Sequence, residues 1–264
     1  MQEPFHNPLK DYEEKKLSLF HIKTTLIAGA GQIVDGYDLT VAALILPALE
    51  SYFGSSLLQL STMLFASIIA GNILGALIFG YLAKHGRKRF YGIDAMLMVF
   101  GALFQAFITS PYQLVILRFL LGLGIGADYV LSPLINAEYA NRKDRGKLMA
   151  ISGGFMWNLG ALLSVIATLS LSSILPTDIL WRVVLALGSV PALLVVYFRR
   201  KYPETPHYLL FVKGDVEELK KKYGLNVNKV SVGKVMWNVI LPTLLLAALT
   251  WYFFDISAYF SAQT

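Results

Sequence analysis

Seven apolar segments alternate with short polar connections, at roughly 24–50, 57–83, 91–110, 112–138, 147–174, 179–198 and 236–262. A helix rising about 1.5 Å per residue needs about 20 residues to cross a hydrocarbon core of about 30 Å. Only helices and closed barrels satisfy every backbone group in lipid, and none of these segments shows the period-two alternation of a barrel strand. The pattern predicts an all-α, polytopic helical membrane protein. A six-helix bundle is expected over 24–198, built as a 3+3 repeat and preceded by a polar segment at 1–23. A linker at 199–235, with one short amphipathic helix near 214–223, leads to a seventh span in 236–264. Six spans, a linker and one further span read as half of something larger, so a truncated second half is expected.

Composition agrees with this pattern. The chain is 56% hydrophobic and 15% charged, whereas soluble domains carry about a quarter charged residues. Cysteine is absent, which excludes disulfides, thiolate chemistry and cysteine-ligated metals. The four histidines are scattered, so neither a metal nor a cofactor is expected. Placement explains the net charge of +6. KHGRKR, NRKDRGK and FRRK occupy alternate loops, whereas ESYFGSS, TSPYQ and SSILPTD carry no Lys or Arg. The positive-inside rule then puts the N-terminus in the cytoplasm, with the plasma membrane as the expected location. Nucleic acid is a poor partner for charge distributed in this way. The N-terminus lacks a cationic run leading into a short apolar core, so no cleavable signal is expected.

Charges inside the spans are expensive and mark candidate function. Asp35 and Asp38 lie three residues apart, on one helix face. Asp128 lies at a similar depth, about 15 Å from the cytoplasmic end of its span. Two carboxylates meeting there could not both ionise cheaply, so one is expected to bind and release a proton. Arg118 is a candidate counter-charge or gate, and structural pairing between it and an aspartate is the alternative. Asp94 reads as interfacial, near the start of the third span. Gly122, Gly124 and Gly126 suit close helix approach. Gln32 and Asn158 are polar candidates that would also serve as interhelical hydrogen bonds. Trp251, Asp255 and Tyr259 recur at four-residue spacing, as packing or as a polar cavity wall. Gly31-x-x-x-Asp35 is echoed by Gly124-x-x-x-Asp128, each followed by a tyrosine, Tyr37 or Tyr129. That echo is the faint trace of a three-helix repeat.

Arg118-x-x-x-Gly122-x-Gly124-x-Gly126 resembles the fourth-helix motif of the major facilitator superfamily. VDGYDL (34–39), YGIDAMLM (91–98), GIGADYVLS (124–132) and TWYFFDISAY (250–259) are similar to its phosphate:proton symporter branch. PETPHYL (203–209) resembles the linker motif of the sugar porters. The resemblance implies alternating access by two six-helix halves. It assigns Asp35, Asp38, Asp94, Arg118 and Asp128 to proton coupling, and Tyr129, Trp251, Asp255 and Tyr259 to the substrate cavity. Asn158 joins the cavity beside Trp157, which stands where phosphate carriers place a glutamine. Two further departures are GADYV in place of GGDYP, and GYLAKHGRKR without the acidic residue of the cytoplasmic gate.

The expected function is proton-coupled transport of a small solute, inorganic phosphate first and another anion next, with a sugar or carboxylate porter as the alternative. A seven-helix receptor fits less well, because its N-terminus would lie outside. An enzyme is not expected. The expected partners are substrate, protons and the lipid bilayer. A second polypeptide or second copy would supply the missing half.

Overall fold

The computed structural model describes residues 7–228, 241–250 and 253. The chain divides into two units, Met1–Lys229 and Val230–Thr264. Five helices of the first unit are long and apolar enough to cross a membrane: Leu57–His85, Arg87–Phe107, Pro111–Tyr139, Arg145–Ser172 and Thr177–Arg199. A bent pair, Leu19–Leu44 and Leu46–Phe53, makes a sixth span with a 52° break. These are called the second to sixth spans and the first span, respectively. In the second unit, Leu241–Thr250 is a shorter apolar helix. No strand occurs among the described residues.

The helix ends follow local chemistry. Ser56 caps the second span by accepting a hydrogen bond from the Gln59 N–H at 3.3 Å. Ser110 likewise accepts from the Tyr112 N–H at 3.3 Å, with Pro111 in the first turn where its missing donor costs nothing. The first span bends where Pro47 removes a backbone donor and its ring crowds the carbonyl four residues back. Gly54, at φ 63°, closes that span in the left-handed conformation. The fifth span opens through a π-helical turn at Ile151–Phe155.

The spans pair through close backbone approach. The first lies against the fifth and the second against the fourth. A β-carbon on Gly126 would run into the Asn72 carbonyl of the second span, and one on Gly122 into that of Ile68. Gly124 faces elsewhere, because its β-carbon would sit 2.7 Å from the Asp94 carbonyl of the third span. Outward positions such as Leu58, Ile69, Leu77, Ile116 and Leu169 are exposed and apolar, as a bilayer requires. Polar side chains, including Gln32, Ser132 and Asn136, are buried inside the bundle instead.

The end carrying the basic loops is tied by charge and by the N-terminal segment. Arg87 pairs with Glu138 at 3.0 Å. The Glu204 carboxylate accepts from the Arg87 and Lys88 backbone N–H groups at 3.0 and 3.2 Å. Carboxylates from the fourth span and from the segment after the sixth thus lie against the GRKR run. Within the polar stretch at 1–23, Leu9 and Tyr12 are buried. The Tyr12 hydroxyl donates to the Tyr139 carbonyl at 3.3 Å. Glu13 pairs with Arg145 at 3.2 Å and with His207 at 2.9 Å. After the sixth span, the short helix Val216–Tyr223 is preceded by a π-helical turn at Tyr208–Lys213.

Candidate functional site

Six charged side chains converge inside the bundle: Asp35 and Asp38 from the first span, Asp94 from the third, Arg118 and Asp128 from the fourth, and Arg199 from the sixth. None exposes more than 1% of its surface. Burial of this kind persists only where partners offset the loss of hydration. The partners are unevenly shared.

Both terminal nitrogens of Arg199 are hydrogen-bonded, while its Nε has no partner among the described residues. Its Nη1 donates to Asp94 and its Nη2 to Asp128, each at 2.5 Å, and Nη2 also reaches the Ser132 hydroxyl at 2.8 Å. The guanidinium carbon lies 4.1 Å from the centre of the Tyr91 ring, a cation–π contact. Asp128 further accepts from the Ser132 hydroxyl at 2.5 Å and from the Gln32 amide at 3.1 Å. Asp94 also accepts the Gly92 N–H at 2.6 Å. Gly31 makes room for the assembly, since a β-carbon there would fall 2.6 Å from Asp128 Oδ1 and closer still to Arg199.

The other carboxylates are unsatisfied. Neither oxygen of Asp35 or of Asp38 has a hydrogen-bond partner among the described residues. The charges facing Asp35 are Asp38, Asp94, Asp128 and Arg199. Asp38 has Arg118 as its neighbouring charge and lies against the sixth span at Gly188, where a β-carbon would meet it at 2.6 Å. Arg118 Nη1 donates to the backbone carbonyl of Asp38 at 3.0 Å, whereas its Nε and Nη2 have no such partner among the described residues.

Several expectations change. Asp94 is not interfacial: it is fully buried, because Arg199 reaches back from the end of the sixth span to pair with it. The counter-charge of Asp128 is Arg199, and Arg118 donates instead to the backbone carbonyl of Asp38. Gln32 does bond between helices, but Asn158 is exposed and donates to the Gly154 carbonyl of its own helix at 2.8 Å. Tyr129 is 40% exposed. Trp251, Asp255 and Tyr259 lie outside the described residues. Sequence reasoning missed Arg199, Ser132 and Tyr91. The only signal for Arg199 was its place at the head of FRRK, which reads as a loop charge.

Comparison with known proteins gives the site its context. The family model described as sugar (and other) transporter matches residues 24–235. A probable inorganic phosphate transporter 1-9 of Arabidopsis thaliana is 32% identical over 249 residues, covering 81% of this chain and 46% of that protein. A repressible high-affinity phosphate permease of Neurospora crassa is 31% identical over 239 residues, covering 80% of this chain and 42% of that one. The partially occluded, inward-open structure of the xylose transporter XylE from E. coli superposes with a TM-score of 0.71 at 26% identity, over 77% of this chain and 53% of that one. The chain thus spans about half the length of the relatives it matches. With its membrane-spanning helices and this likeness over most of its length, the chain belongs to the sugar (and other) transporter family, within the major facilitator superfamily.

Proposed function

We propose that this chain forms one half of a proton-coupled secondary transporter for a small anion, inorganic phosphate first, working by alternating access. In this reading 24–198 is one six-helix half, 199–235 a cytoplasmic linker, and 236–264 the start of the opposite half. The remaining spans come from continuing sequence, a second polypeptide or a second copy. Asp35, Asp38, Asp94, Arg118 and Asp128 couple the proton, and Tyr129, Asn158, Trp251, Asp255 and Tyr259 line the substrate path. The N-terminus lies in the cytoplasm and the protein resides in the plasma membrane.

One observation carries the proposal: four buried carboxylates share two arginines, and two of the four lack any hydrogen-bond partner among the described residues. Such an arrangement is costly in a membrane unless charge must move. The phosphate-transporter names of the relatives support the anion. The likeness to a xylose transporter supports a sugar as the second reading.

The test is uptake of radiolabelled phosphate into proteoliposomes under an imposed pH gradient, with xylose as the competing substrate. The chain is assayed alone and together with a C-terminal half from a relative. Gradient-dependent phosphate uptake by the reconstituted pair, lost in Asp35→Asn and in Asp128→Asn, is the expected result. Uptake indifferent to the gradient and to both substitutions overturns the proton coupling.

A further inference from the structure

The end of the bundle that carries the basic loops holds a cavity of about 400 Å³, outside the buried charged site. One wall is the turn between the second and third spans, with Lys88 and Arg89. The other wall follows the sixth span and brings Lys213 and Lys222. Glu204 and Glu218 complete the charged lining, so these side chains carry an excess of two positive charges. A basic loop in water needs no ligand, and what decides the matter is whether its cations already have partners.

On the wall after the sixth span they do, in part-exposed pairs. Lys213 pairs with Asp215 at 2.9 Å and with Glu218 at 2.5 Å, and Lys222 pairs with Glu218. Exposed pairs of this kind are held weakly. On the turn the side chains are left over. Glu204 directs its carboxylate to the backbone, accepting the Arg87 N–H at 3.0 Å and the Lys88 N–H at 3.2 Å. Arg87 is drawn away by Glu138 at 3.0 Å and by the Tyr208 ring, whose centre lies 4.9 Å from the guanidinium carbon. Lys88 and Arg89 have no ion-pair partner among the described residues, and Arg89 has the Phe90 ring at 5.7 Å. Gly86, at φ 134°, presses the turn onto the other wall, since a β-carbon there would stand 3.3 Å from Glu204 Oε2. The two walls are therefore set before any ligand arrives.

We propose that this cavity binds a phosphomonoester, with the phosphate seated between the turn and the segment after the sixth span. A phosphomonoester carries about −1.5 to −2 charge and three strong acceptor oxygens, which matches the excess of two positive charges. Lysine and arginine both meet phosphate in charge-assisted hydrogen bonds. The volume falls within the roughly 300–1,000 Å³ of small-molecule sites, and so leaves room for the group esterified to the phosphate. That group belongs to a soluble metabolite or to a lipid, because the second span ends at His85 and the third begins at Arg87, level with the headgroups. The site lies apart from the buried charges assigned to coupling, and the proposal holds whatever solute the protein carries.

Glycerol 3-phosphate and phosphatidic acid present the same phosphomonoester from the two sources. The purified full chain in dodecyl maltoside is titrated with glycerol 3-phosphate, followed by the phosphorus NMR signal of the ligand. Phosphatidic acid bound per chain is counted by native mass spectrometry. Saturable binding of one molecule per chain is expected for at least one of them. Binding of glycerol 3-phosphate assigns the soluble source, and binding of phosphatidic acid alone assigns the lipid. Lys88→Gln with Arg89→Gln should weaken binding on the order of tenfold or more, and so should Lys213→Gln with Lys222→Gln on the opposite wall. Lys143→Gln with Lys147→Gln removes the same charge from exposed positions of another basic loop and should leave the affinity unchanged. Absence of saturable binding by both ligands, binding that survives both lining variants, or equal weakening in the Lys143 and Lys147 control overturns the proposal.

Discussion

Gly31 has no chemistry of its own, yet its missing side chain decides where the charges can sit. The Arg199–Asp128 pair rests directly on the first-span backbone at this glycine. Gly31→Ala should force the pair apart or push the first span outward, and overpacking of this kind costs about 1–3 kcal/mol. A drop in the unfolding temperature of the purified protein is the expected outcome; an unchanged melting curve would contradict the packing described. At this scale the sequence was only partly legible. Asp35, Asp38, Arg118 and Asp128 stand out because they interrupt apolar runs. Arg199 does not, since it terminates a run, and only three-dimensional structure shows which end-of-helix charges turn back into the bundle. The Asp94 expectation failed for the same reason: proximity to a span end says nothing about whether a partner reaches it.

Among the elements, the glycines define which helices can move as one. The first span packs on the fifth and the second on the fourth, and exchanging spans one to three with spans four to six maps one pairing onto the other. Gly126 and Gly80 provide a test within one pair. A β-carbon at Gly126 would collide with the Asn72 carbonyl, whereas at Gly80 it would meet only Val130 Cγ1, at an ordinary 3.8 Å. Gly126→Ala should destabilise the protein by at least about 2 kcal/mol, and Gly80→Ala should gain up to about 1 kcal/mol from helix propensity. Parallel thermal melts in nanodiscs decide between them, and equal effects would show that the second and fourth spans are not locked at Gly126. The spans were legible as uninterrupted apolar runs. The Pro47 bend and the π-helical turn at 151–155 were not foreseen, because hydropathy integrates over a whole run and ignores a local change of hydrogen-bond register.

For the molecule as a whole, the N-terminal segment is part of the fold. Burial alone would raise the Glu13 carboxyl, but hydrogen bonds from His207, Asn7 and Arg145 outweigh it and hold the group below its ordinary value of about 4.5. A carboxylate depressed on docking stabilises the docked state fully above that ordinary value and loses the contribution as pH falls through the lower, docked value. Acidification below about 4.5 should therefore release the segment 7–15 before the bundle opens. Hydrogen exchange at the amides of residues 9–14 would accelerate there, and Glu13→Gln would show the fast exchange already at neutral pH. Exchange that stays slow in that variant would mean that Leu9 and Tyr12 hold the segment unaided. None of this was legible, because a short mixed-charge stretch reads as a solvated tail until its partners, at 139, 145 and 207, are seen beside it.

Those partners lie far along the chain. Glu13 meets Arg145 across 132 residues and His207 across 194, and Tyr12 meets Tyr139 across 127. A ribosome adds about 5–20 residues per second, so the segment carrying Glu13 waits roughly ten seconds or longer before its last partner exists. Throughout that interval Leu9 and Tyr12 have no place to bury, and whatever escorts the nascent chain must tolerate or shield them. The segment is made before all six spans and is fastened only after them, so its closure marks the moment when the chain has been synthesised and assembled through residue 207.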